Sequence, residues 1–244
     1  MILVRQETIM NIDDLLKSTK PILYETGVEE WPYAFSGTCY PVKFNNALFI
    51  VSAFHCYSNS NIEPENTLYP RPDDPTGFFA FDTKVRAQAQ QSKDDEHHDQ
   101  VILRVARSHH PDTETDKVVA LDLVDSATSR LPTSKDIKDF KVRGYPFACP
   151  KYEVNYQLNK ISYQAYTTNG ALSVNQSPFD FCYLIRMITP IPDGMSPNGM
   201  SGSPIYGITQ SQDAVYCGTI IKHSKYTDEY LVIGPEVLVN ALKG

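Results

Sequence analysis

The chain has 244 residues, 41% of them apolar and 21% charged, and its 29 acidic and 22 basic side chains leave a net charge of −7. That is the composition of a globular protein long enough to bury a substantial core, as one large domain or two small ones. The acidic balance argues against general binding of nucleic acid or of an anionic membrane, and 17 prolines with 15 tyrosines favour a β-rich fold with many turns.

The opening run MILVRQETIMNIDDLLKSTK sets Arg5, Glu7, Asp13 and Asp14 among its apolar residues. That pattern predicts neither a secretory signal nor a membrane-spanning helix. Five cysteines, Cys39, Cys56, Cys149, Cys182 and Cys217, are scattered and form no CxxC pair. They read as reduced thiols rather than a zinc site, which makes the cytoplasm the expected compartment.

NIDDLLKS predicts a short amphipathic helix capped by Asn11. TCYPVKF and ALFIVSA read as strands joined at Asn45-Asn46, a hairpin signal. Residues 57–76, rich in Pro, Asn and Asp, read as a loop, and GFFAFDTKVRAQAQ as one or two strands. QVILRV is a short buried-strand run. Residues 107–117 (RSHHPDTETDK) read as a linker between two units. The strand candidates after it are KVVALDLV, FKVRGYP, YEVNYQLNKISYQAYT, DFCYLIRMI, SPIYGI, AVYCGTIIKH and EYLVIG. PEVLVNALKG ends the chain as a helix opened by Pro235. Short strands separated by turn signals predict antiparallel barrels or a sandwich.

The stretch NGMSGSPIYG, residues 198–207, crowds small residues around Ser201. Such a run is a turn, or a nucleophile whose small neighbours leave backbone N–H groups free for an oxyanion. A serine nucleophile needs a base, and the base needs a carboxylate to orient it. Among six histidines, His55 ends the apolar strand LFIVSAFHC, a rigid position at a strand–loop edge. Asp99 stands directly before the apolar run QVILRV and suits a partly buried carboxylate. Asp94, Asp95 and Glu96 read as solvated loop.

SAFHC, DQVILRV and GMSGSP together resemble the histidine, aspartate and serine blocks of the trypsin/chymotrypsin-like serine peptidases. They come in that family's order, separated by 44 and 102 residues. SGTCYPVKFNNALFIV resembles the hairpin before the family's histidine, and YCGTIIKH the strand after its serine. GYP and MSGSP are most similar to the bacterial trypsin-like branch. The resemblance spans about residues 33–233.

It implies an all-β fold of two six-stranded antiparallel barrels, at 33–112 and 113–234. These would be flanked by an N-terminal segment, 1–32, and a C-terminal helix, 235–244. It also implies a serine endopeptidase acting on protein or peptide, with His55 as base, Asp99 as its orienting acid and Ser201 as nucleophile. Gly199 and Ser201 would supply the oxyanion N–H groups. Met195, Ser196, Asn198, Ile221 and His223 would contact substrate, with Met195 at the floor of the specificity pocket unless Asp193 takes that place. No metal or cofactor is implied, and a regulatory protein partner is left open.

The chain departs from the family's secreted members at Met200, where they carry an aspartate for zymogen activation. Cys56 follows His55 as theirs does, but Cys39 is doubtfully placed to pair with it. Three rival readings exist. An α/β-hydrolase would need glycine where Ser203 stands and the order Ser–acid–His. A catalytically silent module of the same fold would bind peptides or act as a scaffold. Metal binding by His97-His98 or His109-His110 is weak, because adjacent residues of a strand face opposite sides; both pairs read as solvated loop.

Overall fold

A computed structural model describes residues 11–87, 99–123, 128–148, 153–155 and 160–244. The first helix, α1 (Ile12–Ser18), is capped as the sequence predicts: Asn11 Oδ1 accepts from the Asp13 N–H at 2.9 Å. Its buried Leu15 and Leu16 join the core beneath the first sheet.

That sheet contains β1 (Lys20–Glu25), β2 (Tyr33–Phe44), β3 (Ala47–Ala53), β4 (Thr67–Arg71), β5 (Asp74–Phe79), β6 (Phe81–Arg86) and β7 (Gln100–Val105). Helix α2 (Phe54–Ser58) follows β3, and α3 (Asp112–Thr115) precedes the two-residue β8 (Leu121–Asp122). The strand order is β5-β4-β1-β2-β3-β7-β6, with β8 parallel to β2. Asn45 and Asn46, both at positive φ (49° and 59°), make the two-residue turn between β2 and β3. Asparagine tolerates this left-handed backbone, whose twist matches the flanking strands.

The second unit contains β9 (Ile137–Gly144), β10 (Phe147–Ala148), β11 (Glu153–Asn155), β12 (Lys160–Ser162), β13 (Tyr166–Leu172), β14 (Cys182–Met187), β15 (Met195–Ser196), β16 (Pro204–Thr209), β17 (Ala214–Ser224) and β18 (Glu229–Ile233). Six of these close into the barrel β13-β14-β18-β17-β16-β9, while β10–β15 and β11–β12 form separate two-stranded ribbons. All six residues of β16 and all five of β18 are buried, the polar Thr209 and Glu229 among them. Helix α4 (Pro235–Lys243) starts at Pro235, as expected, and buries Val237 and Leu238.

The all-β architecture matches expectation, with a closed six-stranded barrel in the second unit. The first unit is an eight-stranded curled sheet instead of a six-stranded barrel. Three segments differ from the sequence pattern. β1 lies in the segment expected to precede the first unit, yet pairs with β2 and β4. β4 lies inside the expected loop 57–76. β8, placed by sequence in the second unit, pairs with β2 of the first. In each case hydrogen-bond partners distant in the chain outweigh local composition.

Polar groups as well as apolar ones bridge the units. The buried Tyr40 hydroxyl donates to that of Tyr216 at 2.9 Å and lies 2.7 Å from Thr219 Oγ1. Gln100 Nε2 donates to Thr219 Oγ1 at 2.6 Å and to the Tyr216 hydroxyl at 3.2 Å. Buried polar groups of this kind are costly when unpaired, so the network fixes how the units meet.

Candidate active site

The site begins with strand register. β3 and β7 are antiparallel, with Ala53 opposite Gln100. One step beyond that pair, the Phe54 N–H donates to the Asp99 carbonyl at 3.1 Å. The next residue, His55, turns into α2, and its own N–H donates to Asp99 Oδ1 at 2.7 Å. His55 Nδ1 lies 2.6 Å from Asp99 Oδ2. The carboxylate, 14% exposed, thus holds the histidine at both main chain and ring.

Burial works against the His55 cation, but the hydrogen bond it donates to Asp99 and the nearby Cys56 sulfur outweigh it and raise the ring's pKa to about 10. Cys56 Sγ lies 3.7 Å from His55 Nε2.

Ser201 arrives from the other unit, in the loop between β15 and β16. Gly199 and Gly202 take φ of +96° and +88° there, a left-handed backbone that suits glycine. Space is equally restrictive. A Cβ on Gly199 would lie 2.3 Å from the Tyr145 carbonyl oxygen, and one on Gly202 only 1.9 Å from that of Thr38. Thr38, on β2 of the first unit, clamps the loop. Its N–H donates to the Ser201 carbonyl at 2.8 Å and its hydroxyl to the Gly199 carbonyl at 2.7 Å.

The N–H groups around the serine divide into two sets. Those of Met200, Gly202 and Ser203 bond to Pro197, Ile220 and Met200 carbonyls at 3.0, 2.7 and 3.0 Å. Those of Gly199 and Ser201 have no hydrogen bond among the described residues. The Ser201 hydroxyl donates to the Ile221 carbonyl at 3.2 Å and makes no hydrogen bond to His55 in this conformation.

Two cavities, about 510 and 300 Å³, share His55, Asn198 and Ser201 in their walls. The larger also has Asp99, Ile221 and His223; the smaller has Gly199 and Cys56. Met195 and Ser196 are absent from both walls. They form β15, paired with Phe147 and Ala148 of β10, and the Ser196 hydroxyl accepts from the Asn198 N–H at 3.2 Å. His223 bonds Asp228 at 2.9 Å and lies tilted against the Tyr230 ring, centroids 4.6 Å apart.

His110 is not the solvated residue its loop predicts. It is 7% exposed, with Nε2 accepting from the Ala80 N–H at 2.8 Å and Nδ1 3.1 Å from Glu114. His97, His98, Asp94, Asp95 and Glu96 lie outside the described residues, as does Cys149. Cys39, Cys56, Cys182 and Cys217 form no disulfide with one another. No group of three metal-ligating side chains occurs among the described residues, and none of their helices is long and apolar enough to cross a membrane. Sequence reasoning missed the Thr38 clamp and three cations in the larger cavity, Arg86, Lys222 and Lys225. None carries a local motif, and only tertiary pairing brings them to the site.

No protein-family model and no curated protein matches the chain. Solved structures do. A thermostable serine protease, AL20, from an extremophilic microorganism is 11% identical with a TM-score of 0.54, over 94% of this chain and 96% of that one. Human heparin binding protein is 10% identical with a TM-score of 0.59, over 95% and 92%. The protease Anisep from Arthrobacter nicotinovorans is 13% identical with a TM-score of 0.53, over 93% and 96%. One of the three is named for binding, so the fold alone does not decide the chemistry. What the comparison establishes is architecture: along nearly its whole length, this chain has the fold of the trypsin/chymotrypsin-like serine proteases.

Proposed function

We propose that the protein is a serine endopeptidase that cleaves peptide bonds through an acyl-enzyme on Ser201. The observation that carries this reading is the conjunction at one cleft of a carboxylate-held histidine, a serine and two uncommitted N–H groups. A silent module of the same fold has no need to leave those two N–H groups unpaired beside a serine.

In this reading the Ser201 hydroxyl leaves the Ile221 carbonyl by rotation about χ1, a change between staggered wells, and donates to His55 Nε2. His55 takes the proton as Ser201 Oγ attacks the substrate carbonyl carbon. Asp99, bonded to Nδ1, fixes the tautomer and stabilises the imidazolium. The N–H groups of Gly199 and Ser201 receive the developing oxyanion. His55 then gives its proton to the leaving amine, and water repeats the sequence to release the acid.

Cleavage within a chain, as opposed to at its end, is supported by the two cavities that meet at His55, Asn198 and Ser201. A polypeptide laid across both would carry residues on each side of the scissile bond. Strand pairing beside the serine bears on how a peptide backbone would lie. The β16–β17 ladder ends at Thr219, while β17 stays paired with β18 as far as Ser224. In this reading an extended peptide adds along β17 past the point where β16 stops pairing with it.

The test is hydrolysis of a quenched fluorescent peptide library by wild type and by Ser201→Ala. Cleavage at internal bonds by wild type alone is expected. Equal cleavage by both proteins, or none by either, would overturn the proposal.

A further inference from the structure

At rest, the base and the nucleophile of the site are each engaged elsewhere. The Ser201 hydroxyl donates to the Ile221 carbonyl at 3.2 Å, and His55 Nε2 has Cys56 Sγ as its hydrogen-bond partner at 3.7 Å. The same sulfur lies 3.9 Å from the Ser201 carbonyl oxygen, so one atom touches both residues. Gly37 makes room for it. A Cβ on Gly37 would lie 2.5 Å from the sulfur and 2.9 Å from the Ser201 carbonyl oxygen, and its φ of +70° also suits glycine. Gly37, His55, Cys56 and Ser201 all line the smaller cavity, so an occupant of that cavity meets the sulfur. The other charged or titratable side chains that share a cavity wall with His55, namely Asp99, Arg86, Lys222, His223 and Lys225, belong to the larger cavity.

We infer that Cys56 is a positioning residue that restrains the site at rest: its sulfur engages His55 Nε2 in place of Ser201 until a substrate side chain entering the smaller cavity displaces it. The inference rests on the peptidase reading and adds to it which part of the substrate releases the base. Each ring nitrogen offers one hydrogen-bonding position, so Nε2 cannot engage the sulfur and receive the serine proton at once. With its titration raised to about 10, the ring keeps both protons near neutral pH, Nδ1–H on Asp99 and Nε2–H on the sulfur. Rotation about the Cys56 χ1 takes the sulfur away and removes one support of the imidazolium. Nε2 then releases its proton to water and becomes the acceptor for the Ser201 hydroxyl. The modest net worth of one hydrogen bond makes the restraint about three- to tenfold in rate.

The experiment compares wild type with Cys56→Ala and with Cys56→Ser, whose shorter bond draws the oxygen back from Nε2. A small fluorophosphonate carries no peptide to fill the smaller cavity, and it should label Ser201 about three- to tenfold faster in both variants at pH 7. A decapeptide that wild type cleaves should have nearly the same kcat in all three proteins. Of its two forms shortened to a single residue on one side of the cut bond, one should gain about three- to tenfold in kcat in the variants, with KM little changed. The His55 titration, followed by NMR of the ring, should move to lower pH in Cys56→Ala, with the low-field Nδ1 proton retained as the sign that the pair with Asp99 is intact. Equal or slower labelling in both variants, or a gain in kcat that the decapeptide and both shortened forms share, would overturn the inference. If no protein is labelled and no peptide is cut, the peptidase reading falls and the titration still decides the contact. A move to lower pH then upholds the hold of the sulfur on His55, and an unmoved titration overturns it.

Discussion

The two units hold their parts of the site by different means. In the first, His55 and Asp99 are neighbours because one ladder, β3 with β7, ends beside both of them. In the second, Ser201 sits in a loop whose shape depends on two positive-φ glycines and on Thr38 of the opposite unit. The base and its acid are therefore a property of one sheet, whereas the nucleophile's placement is a property of the joint between units. Damage to the joint should disable the serine and leave the histidine–carboxylate pair standing.

The largest expected effect comes from removing the reacting groups. Ser201→Ala and His55→Ala should each lower kcat/KM by a factor on the order of 10³ to 10⁶, because residues that act as a unit fail together. Circular dichroism and the unfolding midpoint should hardly change, since neither side chain is part of the core.

The joint is the next target. Gly202→Ala places a methyl 1.9 Å from the Thr38 carbonyl oxygen and forces alanine to a φ of +88°. A loss on the order of 3 kcal/mol in urea unfolding is expected, with near-complete loss of serine reactivity. The comparison sharpens here, because the low-field NMR proton of His55 Nδ1 should survive in this variant. Its disappearance would show that the pair depends on the joint after all.

A milder cut at the same place is Thr38→Val, which removes the hydroxyl that donates to Gly199 and accepts from the Tyr145 N–H at 3.0 Å. Stability should fall by about 1–3 kcal/mol, because both buried partners lose their bond. Turnover should fall more than peptide binding, since the change acts on the loop that aims Ser201.

The smallest effect concerns protonation. His55 is raised, and as a base it works only after losing its proton, so turnover should climb with pH through that titration. Cys56→Ala removes one contribution that favours the imidazolium, which lowers the pKa and moves the rise to lower pH. A pH–rate profile of kcat/KM checks the direction, and a shift to higher pH would contradict the role given to the sulfur.

The same division explains what the sequence made legible. α1, the Asn45-Asn46 turn, β7 and α4 follow from local signals: a cap, two asparagines, an apolar run and a proline at a helix start. His55 and Asp99 could be picked because each borders an apolar strand, and Ser201 because small residues surround it. Met195 and Ser196, reached by counting from the serine, form β15 paired with β10 and are in the walls of neither cavity, a pairing that counting along the chain does not reveal. Arg86, Lys222 and Lys225 looked like any surface cations. Nothing short of the assembled units shows that Arg86 at the end of β6 faces the end of β17 across the same cavity. His110 likewise looked solvated until the Ala80 N–H and Glu114 were seen to enclose it.

The central claim is that Ser201 is a nucleophile activated by His55. It is tested most directly by incubating the protein with a fluorophosphonate probe near pH 8 and locating the adduct by peptide mass spectrometry. The account predicts one adduct, on Ser201, absent from Ser201→Ala and formed far more slowly in His55→Ala. An unlabelled wild type, or labelling that proceeds equally fast without His55, would contradict it.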